Sequence, residues 1–109
     1  DYGKKIQTNM LKPSEVKSIV GAKNPAYIIV DVREPKEFAE GHIPGALNIP
    51  MEQYAAKSDV LPKEKNIVVY CNSGSRSYIA FKKLIQLAYQ NRFQTIFADW
   101  KEAGYPVEK

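Results

Sequence analysis

The chain has 109 residues, of which 44% are hydrophobic and 26% charged, the make-up of one ordinary soluble globular domain and not of a disordered chain. No apolar run approaches the roughly 18 residues a membrane span requires; the longest, Tyr27–Val32, is strand-sized. The net charge of +4 comes from scattered residues, some countered locally as in Lys63-Glu64-Lys65, so it excludes a nucleic-acid footprint while still favouring the approach of a small anion.

In chain order, Pro13-Ser14-Glu15-Val16 opens a helix that places Val16, Ile19 and Val20 on one face, and Gly21 and Asn24-Pro25 end it. Tyr27-Ile28-Ile29-Val30 is a continuous β-rich run, as expected of a strand covered on both faces, and it leads into Asp31-Val32-Arg33-Glu34. Pro35 opens a short helix with Phe38 and Ala39 as its expected buried positions. After a turn-rich stretch from Gly41 to Ala46, residues 47–50 form a short extended piece and residues 51–56 a short helix. Residues 62–66 form a surface turn. Ile67-Val68-Val69-Tyr70 is the second central strand, followed by Cys71-Asn72-Ser73-Gly74-Ser75-Arg76-Ser77. Ile79, Ala80, Lys83, Leu84 and Leu87 then recur at helical spacing. Residues 93–97 read as a last strand and residues 100–103 as a last helix, stopped by Gly104 and Pro106.

This alternation predicts a single α/β domain over residues 1–109: an open, mostly parallel sheet with helices on both faces. Sites in such sheets form beyond the carboxyl ends of the strands, where Cys71, Asp31 and Arg33 all lie. A short loop running from a buried strand into a helix turns several backbone N–H groups inward and adds the positive end of the helix dipole. Asn72, Ser73, Gly74 and Ser75 are small or turn-tolerant, and Arg76 offers its planar fork to a bound oxyanion or to a neighbouring carboxylate. Such surroundings lower a thiol's pKa, so Cys71 is expected to be a nucleophilic thiolate. With one cysteine and one histidine, an internal disulfide is impossible and neither a metal nor a cofactor is expected. A free thiol suits a reducing compartment, which makes the cytoplasm the expected location. The first residue is Asp1 and not Met, which leaves room for a segment upstream.

The loop Cys71-Asn72-Ser73-Gly74-Ser75-Arg76-Ser77 resembles the Cys-x-x-Gly-x-Arg-Ser active loop of the rhodanese-like domain family. Three further stretches resemble that family in the same order: Asp31-Val32-Arg33-Glu34 with Phe38, Gly41-His42-Ile43-Pro44-Gly45-Ala46, and Trp100 to Val107. The resemblance covers about residues 11–107. It implies a sulfurtransferase in which Cys71 takes the outer sulfur of a small anionic donor such as thiosulfate, holds it as a persulfide, and passes it to a thiol, cyanide or protein acceptor. The N–H groups of residues 72–76 would stabilise the sulfur anion. Four residues between the cysteine and Arg76 resemble the sulfurtransferases, whereas five resemble the related phosphatase and arsenate-reductase branch. The resemblance also allows a persulfide relay working between proteins, or a regulatory module without turnover, against which the intact cysteine argues.

One departure stands out. The Gly-Gly pair usual before the tryptophan is absent from Thr95-Ile96-Phe97-Ala98-Asp99-Trp100, and Ala88-Tyr89-Gln90 replaces a Gly-aromatic turn. A displaced or shortened last strand is therefore expected. Among the remaining polar residues, Asp31 is expected to support the site, by holding Arg76 or by capping loop N–H groups, with a local strand-end cap as the alternative. Arg33 either orients a donor sulfonate or pairs with Glu34 or Glu37. Ser75 is placed to touch substrate, Ser77 to cap or pack, and Asn72 and Ser73 to face the acceptor. His42 belongs to a scaffold turn and Trp100 to the core.

Overall fold

The structure, a computed structural model, describes residues 9–57 and 61–109. Four strands, β1 (Tyr27–Asp31), β2 (Leu47–Asn48), β3 (Asn66–Cys71) and β4 (Arg92–Ile96), form one sheet in the order β2-β1-β3-β4, with every pairing parallel. Helices α1 (Pro13–Ala22), α2 (Pro35–Glu40), α3 (Met51–Lys57), α4 (Ser75–Gln86) and α5 (Phe97–Glu102) provide the connections. The expected open parallel sheet with helices on both faces is the architecture observed. No helix among the described residues is long and apolar enough to cross a membrane.

The two-residue period of a strand sorts β3 cleanly between two cores. Ile67, Val69 and Cys71 point to one face, where they join Val30, Tyr54, Ala80, Phe81 and Leu84 beneath α3 and α4. Val68 and Tyr70 point to the other, with Val16, Ile29, Ile43, Phe97 and Trp100 beneath α1 and α5. A continuous apolar strand is thus what a sheet covered on both sides requires. Cys71 takes its side from this alternation: its sulfur faces α4, the helix that begins four residues later.

Local chemistry sets the helix starts. Pro13 and Pro35 each occupy the first turn, where a missing N–H costs nothing. Glu15 and Glu37 reach back to accept the Lys12 and Glu34 amides at 2.7 and 2.9 Å. Gly104 takes φ +80° after α5, as its predicted stop position requires.

Three readings of the sequence change. Ala39 is exposed and Phe38 half-buried, because α2 rests one narrow edge on the protein. On α4 the buried face is Ser77, Ala80, Phe81 and Leu84, while Ile79 is 57% exposed. The last strand is neither displaced nor shortened: β4 pairs along β3 from Ile67↔Arg92 to Cys71↔Ile96. Its expected final residue Phe97 instead begins α5, three residues earlier than the predicted helix. The missing glycines are accommodated by Ala88, which takes φ +66°, and by the direct passage of β4 into α5.

Candidate active site

Cys71 is the last residue of β3 and is fully buried. Residues 72–74 turn the chain into α4, with Gly74 as the N-cap at φ +107°, a left-handed value that glycine adopts without strain. The turn aims backbone donors at the sulfur. The Gly74 amide donates to Cys71 Sγ at 3.1 Å and the Ser77 amide at 3.3 Å. Ser77 Oγ lies 3.7 Å from Sγ and accepts from the neutral thiol. Its own proton goes to Gly74 O at 3.2 Å or Gln94 Oε1 at 3.4 Å. Once the sulfur ionises, the hydroxyl rotates and donates to it.

These contacts bias the sulfur toward its ionised form. Burial pushes the Cys71 thiol up, while hydrogen bonds from the Ser77 amide and hydroxyl and from the Gly74 and Ser73 amides favour the thiolate. The hydrogen bonds prevail, and the thiol sits below its ordinary value. The expected direction is therefore present, and its main favourable source is hydrogen bonding to the sulfur.

The charged residues group differently from expectation. Asp31 does not hold Arg76. It binds Arg33 through Nε at 3.0 Å and Nη2 at 2.7 Å, and its Oδ1 accepts the Arg33 amide at 2.8 Å. Two residues apart at a strand end, the pair closes on itself, and both are buried. Arg33 pairs with neither Glu34 nor Glu37; Nη2 also donates to Gly41 O at 2.6 Å, and the guanidinium lies 4.4 Å from the Phe97 ring centroid. Arg76 turns to Glu37, donating from Nη1 at 2.8 Å and Nη2 at 3.2 Å. The hydrogen bond from Arg76, opposed by partial burial and aided by the Glu34 amide, holds the Glu37 carboxyl at about 2.

Of the other expected site residues, Asn72, Ser73 and Ser75 are exposed, and among the described residues the hydrogen bonds on the sulfur come from Gly74 and Ser77 and not from the side chains of those three. Ser77 is buried and does more than cap. His42 stacks on Phe38 at 3.7 Å and its Nδ1 meets Phe38 O at 2.8 Å, as a turn residue would. Trp100 is buried and donates to Pro106 O at 2.7 Å. Two residues were not singled out from the sequence as members of the site. Gln94, buried on β4, meets Ser77 from below, and Glu37 anchors the loop arginine to α2. The signal for Gln94 in the sequence was weak, since Arg92 and Thr95 are also polar residues of that strand. The Ala98 amide also donates to Asn72 O at 3.1 Å, so the start of α5 braces the loop despite lacking glycines.

A family model for the rhodanese-like domain matches residues 12–103. The chain is 44% identical over 83 residues to a sulfurtransferase of Allochromatium vinosum, covering 73% of this chain and 77% of that one. It is 33% identical over 105 residues to the thiosulfate:glutathione sulfurtransferase of Saccharomyces cerevisiae, covering 83% and 76%. The fold superposes on the crystal structure of a rhodanese-related protein from Thermoplasma volcanium with a TM-score of 0.81 at 31% identity, over 92% of this chain and 97% of that one.

Proposed function

The chain belongs to the rhodanese-like domain family, and from that premise we propose that it is a sulfurtransferase that carries sulfane sulfur on Cys71. The observation that carries this reading is the pair of backbone amides that donate to Sγ, with the Ser77 hydroxyl 3.7 Å away and free to rotate into a third donor once the sulfur ionises, in a chain with no other thiol. In the first half-reaction the Cys71 thiolate attacks the outer sulfur of thiosulfate. A new S–S bond forms, the bond to the sulfonate sulfur breaks, and its electron pair leaves with sulfite. The protein then holds a persulfide anion. In the second half-reaction an acceptor nucleophile, a thiolate or cyanide, bonds to the outer sulfur and Cys71 leaves as thiolate. This is covalent catalysis under the rules of thiol exchange. The loop donors favour the anionic sulfur at both ends of the cycle.

Burial of Sγ favours a small donor over a protein-borne one in the first step. The persulfide places the transferable sulfur one S–S bond, about 2 Å, beyond Sγ, which eases access in the second step. The yeast relative named for thiosulfate supports that donor. A second reading, a relay of persulfide sulfur between proteins, draws on Ile79. It stands exposed on α4 near the loop, in a helix that also carries Arg76, Lys82 and Lys83.

Intact mass after incubation of the reduced protein with thiosulfate tests the proposal. A gain of about 32 Da, absent from Cys71→Ser and removed by cyanide, is the expected result. No gain with thiosulfate, but a gain from a persulfidated protein donor, selects the relay. No gain from either sinks both.

A further inference from the structure

Beside the Cys71 loop, between α2 and α5, lies a polar cavity of about 220 Å³ lined by Arg33, Glu37, Glu40, Asn72, Phe97 and Lys101. Its wall contains a donor that the protein leaves open. Arg33 is 4% exposed, and its Nε and Nη2 are committed to Asp31 and Gly41 O. Among the described residues Nη1 has no hydrogen-bond partner. The one sealed and unpartnered side-chain nitrogen among those residues is Arg92 Nε, so Arg33 Nη1 keeps some accessible surface on a residue that lines the cavity. A buried guanidinium edge clamped by Asp31 and Phe97 is a fixed donor for an anionic group.

The charges around it narrow the ligand. Asp31 balances Arg33, and Arg76 balances Glu37. Among the described residues Lys101 and Glu40 have no ion-pair partner, and they leave the cavity one positive and one negative group beside the open Arg33 donor. A dianion such as thiosulfate gains from only part of this pattern, because Glu40 repels it. A molecule with both a carboxylate and an ammonium matches all of it.

We propose that this cavity is the acceptor subsite and that it takes a thiol bearing an α-amino-acid group. The carboxylate is held by Arg33 Nη1 and Lys101, and the ammonium by Glu40. Asn72, which lines the cavity, is the residue next to Cys71, so a thiol anchored there lies beside the loop that holds the persulfide. For the transfer step, though not for binding, the inference rests on the sulfurtransferase reading. The bound thiolate bonds to the outer sulfur, the persulfide S–S bond breaks, and its electron pair stays on Cys71.

Binding and transfer are tested separately. The reduced, sulfur-free protein is titrated with S-methylcysteine, 3-(methylthio)propionate and 2-(methylthio)ethylamine while backbone amides are followed by NMR. Saturable shifts at Gly41, Asn72 and Lys101, with the zwitterion bound most tightly, are expected. The exposed substitutions Lys101→Met and Glu40→Gln should each weaken S-methylcysteine by roughly three- to fivefold. Equal binding of all three probes, shifts elsewhere, or no effect of either substitution overturns the subsite. Protein loaded from thiosulfate is then discharged by cysteine, 3-mercaptopropionate or cyanide, with the thiols compared at equal thiolate concentration. The cysteine-to-cyanide rate ratio should fall in Lys101→Met, and an unchanged ratio counts against the subsite. Failure of the protein to load sulfur removes the sulfurtransferase reading, while the NMR titration still decides whether the cavity binds a zwitterion.

Discussion

The carboxyl ends of β1 and β3 lie side by side in the sheet, Asp31 opposite Tyr70, and they treat charge in opposite ways. At the end of β1, Asp31 and Arg33 are both buried and satisfy each other with two side-chain charges. At the end of β3, the Cys71 sulfur is equally buried, but its partners are the amides of Gly74 and Ser77 and one hydroxyl. The Asp31 carboxylate is spent on its counter-ion, and of the pair only Arg33 Nη1 is left without a partner. Amide dipoles stabilise a thiolate without neutralising it by a bound cation, so the sulfur keeps its nucleophilicity. The β1 end therefore spends its carboxylate on a cation, whereas the β3 end leaves its sulfur with neutral partners only.

Breaking the β1 side should have the largest effect. Asp31→Asn leaves Arg33 buried without its counter-charge and should cost about 3–5 kcal/mol of stability, measured by urea unfolding. The pH profile of Cys71 alkylation in the folded fraction should be little changed, since Asp31 does not touch the sulfur. A large shift of that profile would mean that the two strand ends are one electrostatic unit.

On the β3 side, Gly74→Ala tests the loop backbone. The added Cβ would meet only Ile96, its Cδ1 at 3.5 Å, so the cost arises from φ +107° and should be roughly 1–2 kcal/mol. Turning the amide away from Sγ should also move the alkylation profile to higher pH. Ser77→Ala removes the hydroxyl and keeps the amide, a loss of about 1 kcal/mol. Its profile should move the same way by a smaller amount. A thiol whose pKa is lowered by folding adds stability above its ordinary pKa, and this is lost as pH falls through the folded value. The deficit of Ser77→Ala relative to the parent should therefore be larger in alkaline than in acidic unfolding experiments.

The smallest effect is expected at Glu37→Gln, which frees Arg76. Both side chains are about one-third exposed, so solvent screening limits the loss to about 0.5 kcal/mol. The carboxylate is held at about 2, so its contribution is present above the usual carboxylate range and disappears as pH falls toward about 2. Thermal melts across that acid range should show the parent and the variant converging.

Legibility from sequence tracked contiguity. The Cys71 loop spans seven successive residues, and each contributes a backbone angle or a donor that can be reasoned about locally. The helix of residues 75–86 shows the limit. Spacing alone drew Ile79 into a stripe with Ala80, Leu84 and Leu87 and passed over Phe81; the sheet beneath buries Ala80, Phe81 and Leu84, takes Leu87 at the edge of the core and leaves Ile79 exposed. Phe97 could extend β4 or open a helix, and its neighbour's amide settled the matter by bonding to Asn72 O. The pairing of two arginines with several nearby acids was equally open until distances were available.

The sequence by itself determined the parallel sheet, because Tyr27–Val30 and Ile67–Tyr70 are apolar on both faces, and it determined the position and local surroundings of the lone thiol, because a strand, a small-residue turn and a helix start are consecutive. Only the tertiary structure decided that Asp31 neutralises Arg33, that Glu37 holds Arg76, that Gln94 underlies Ser77, and that a cavity with an open guanidinium edge adjoins the loop. Those contacts join residues far apart along the chain or choose among equivalent partners, and such choices are made by the angles at which elements pack, which no local pattern encodes.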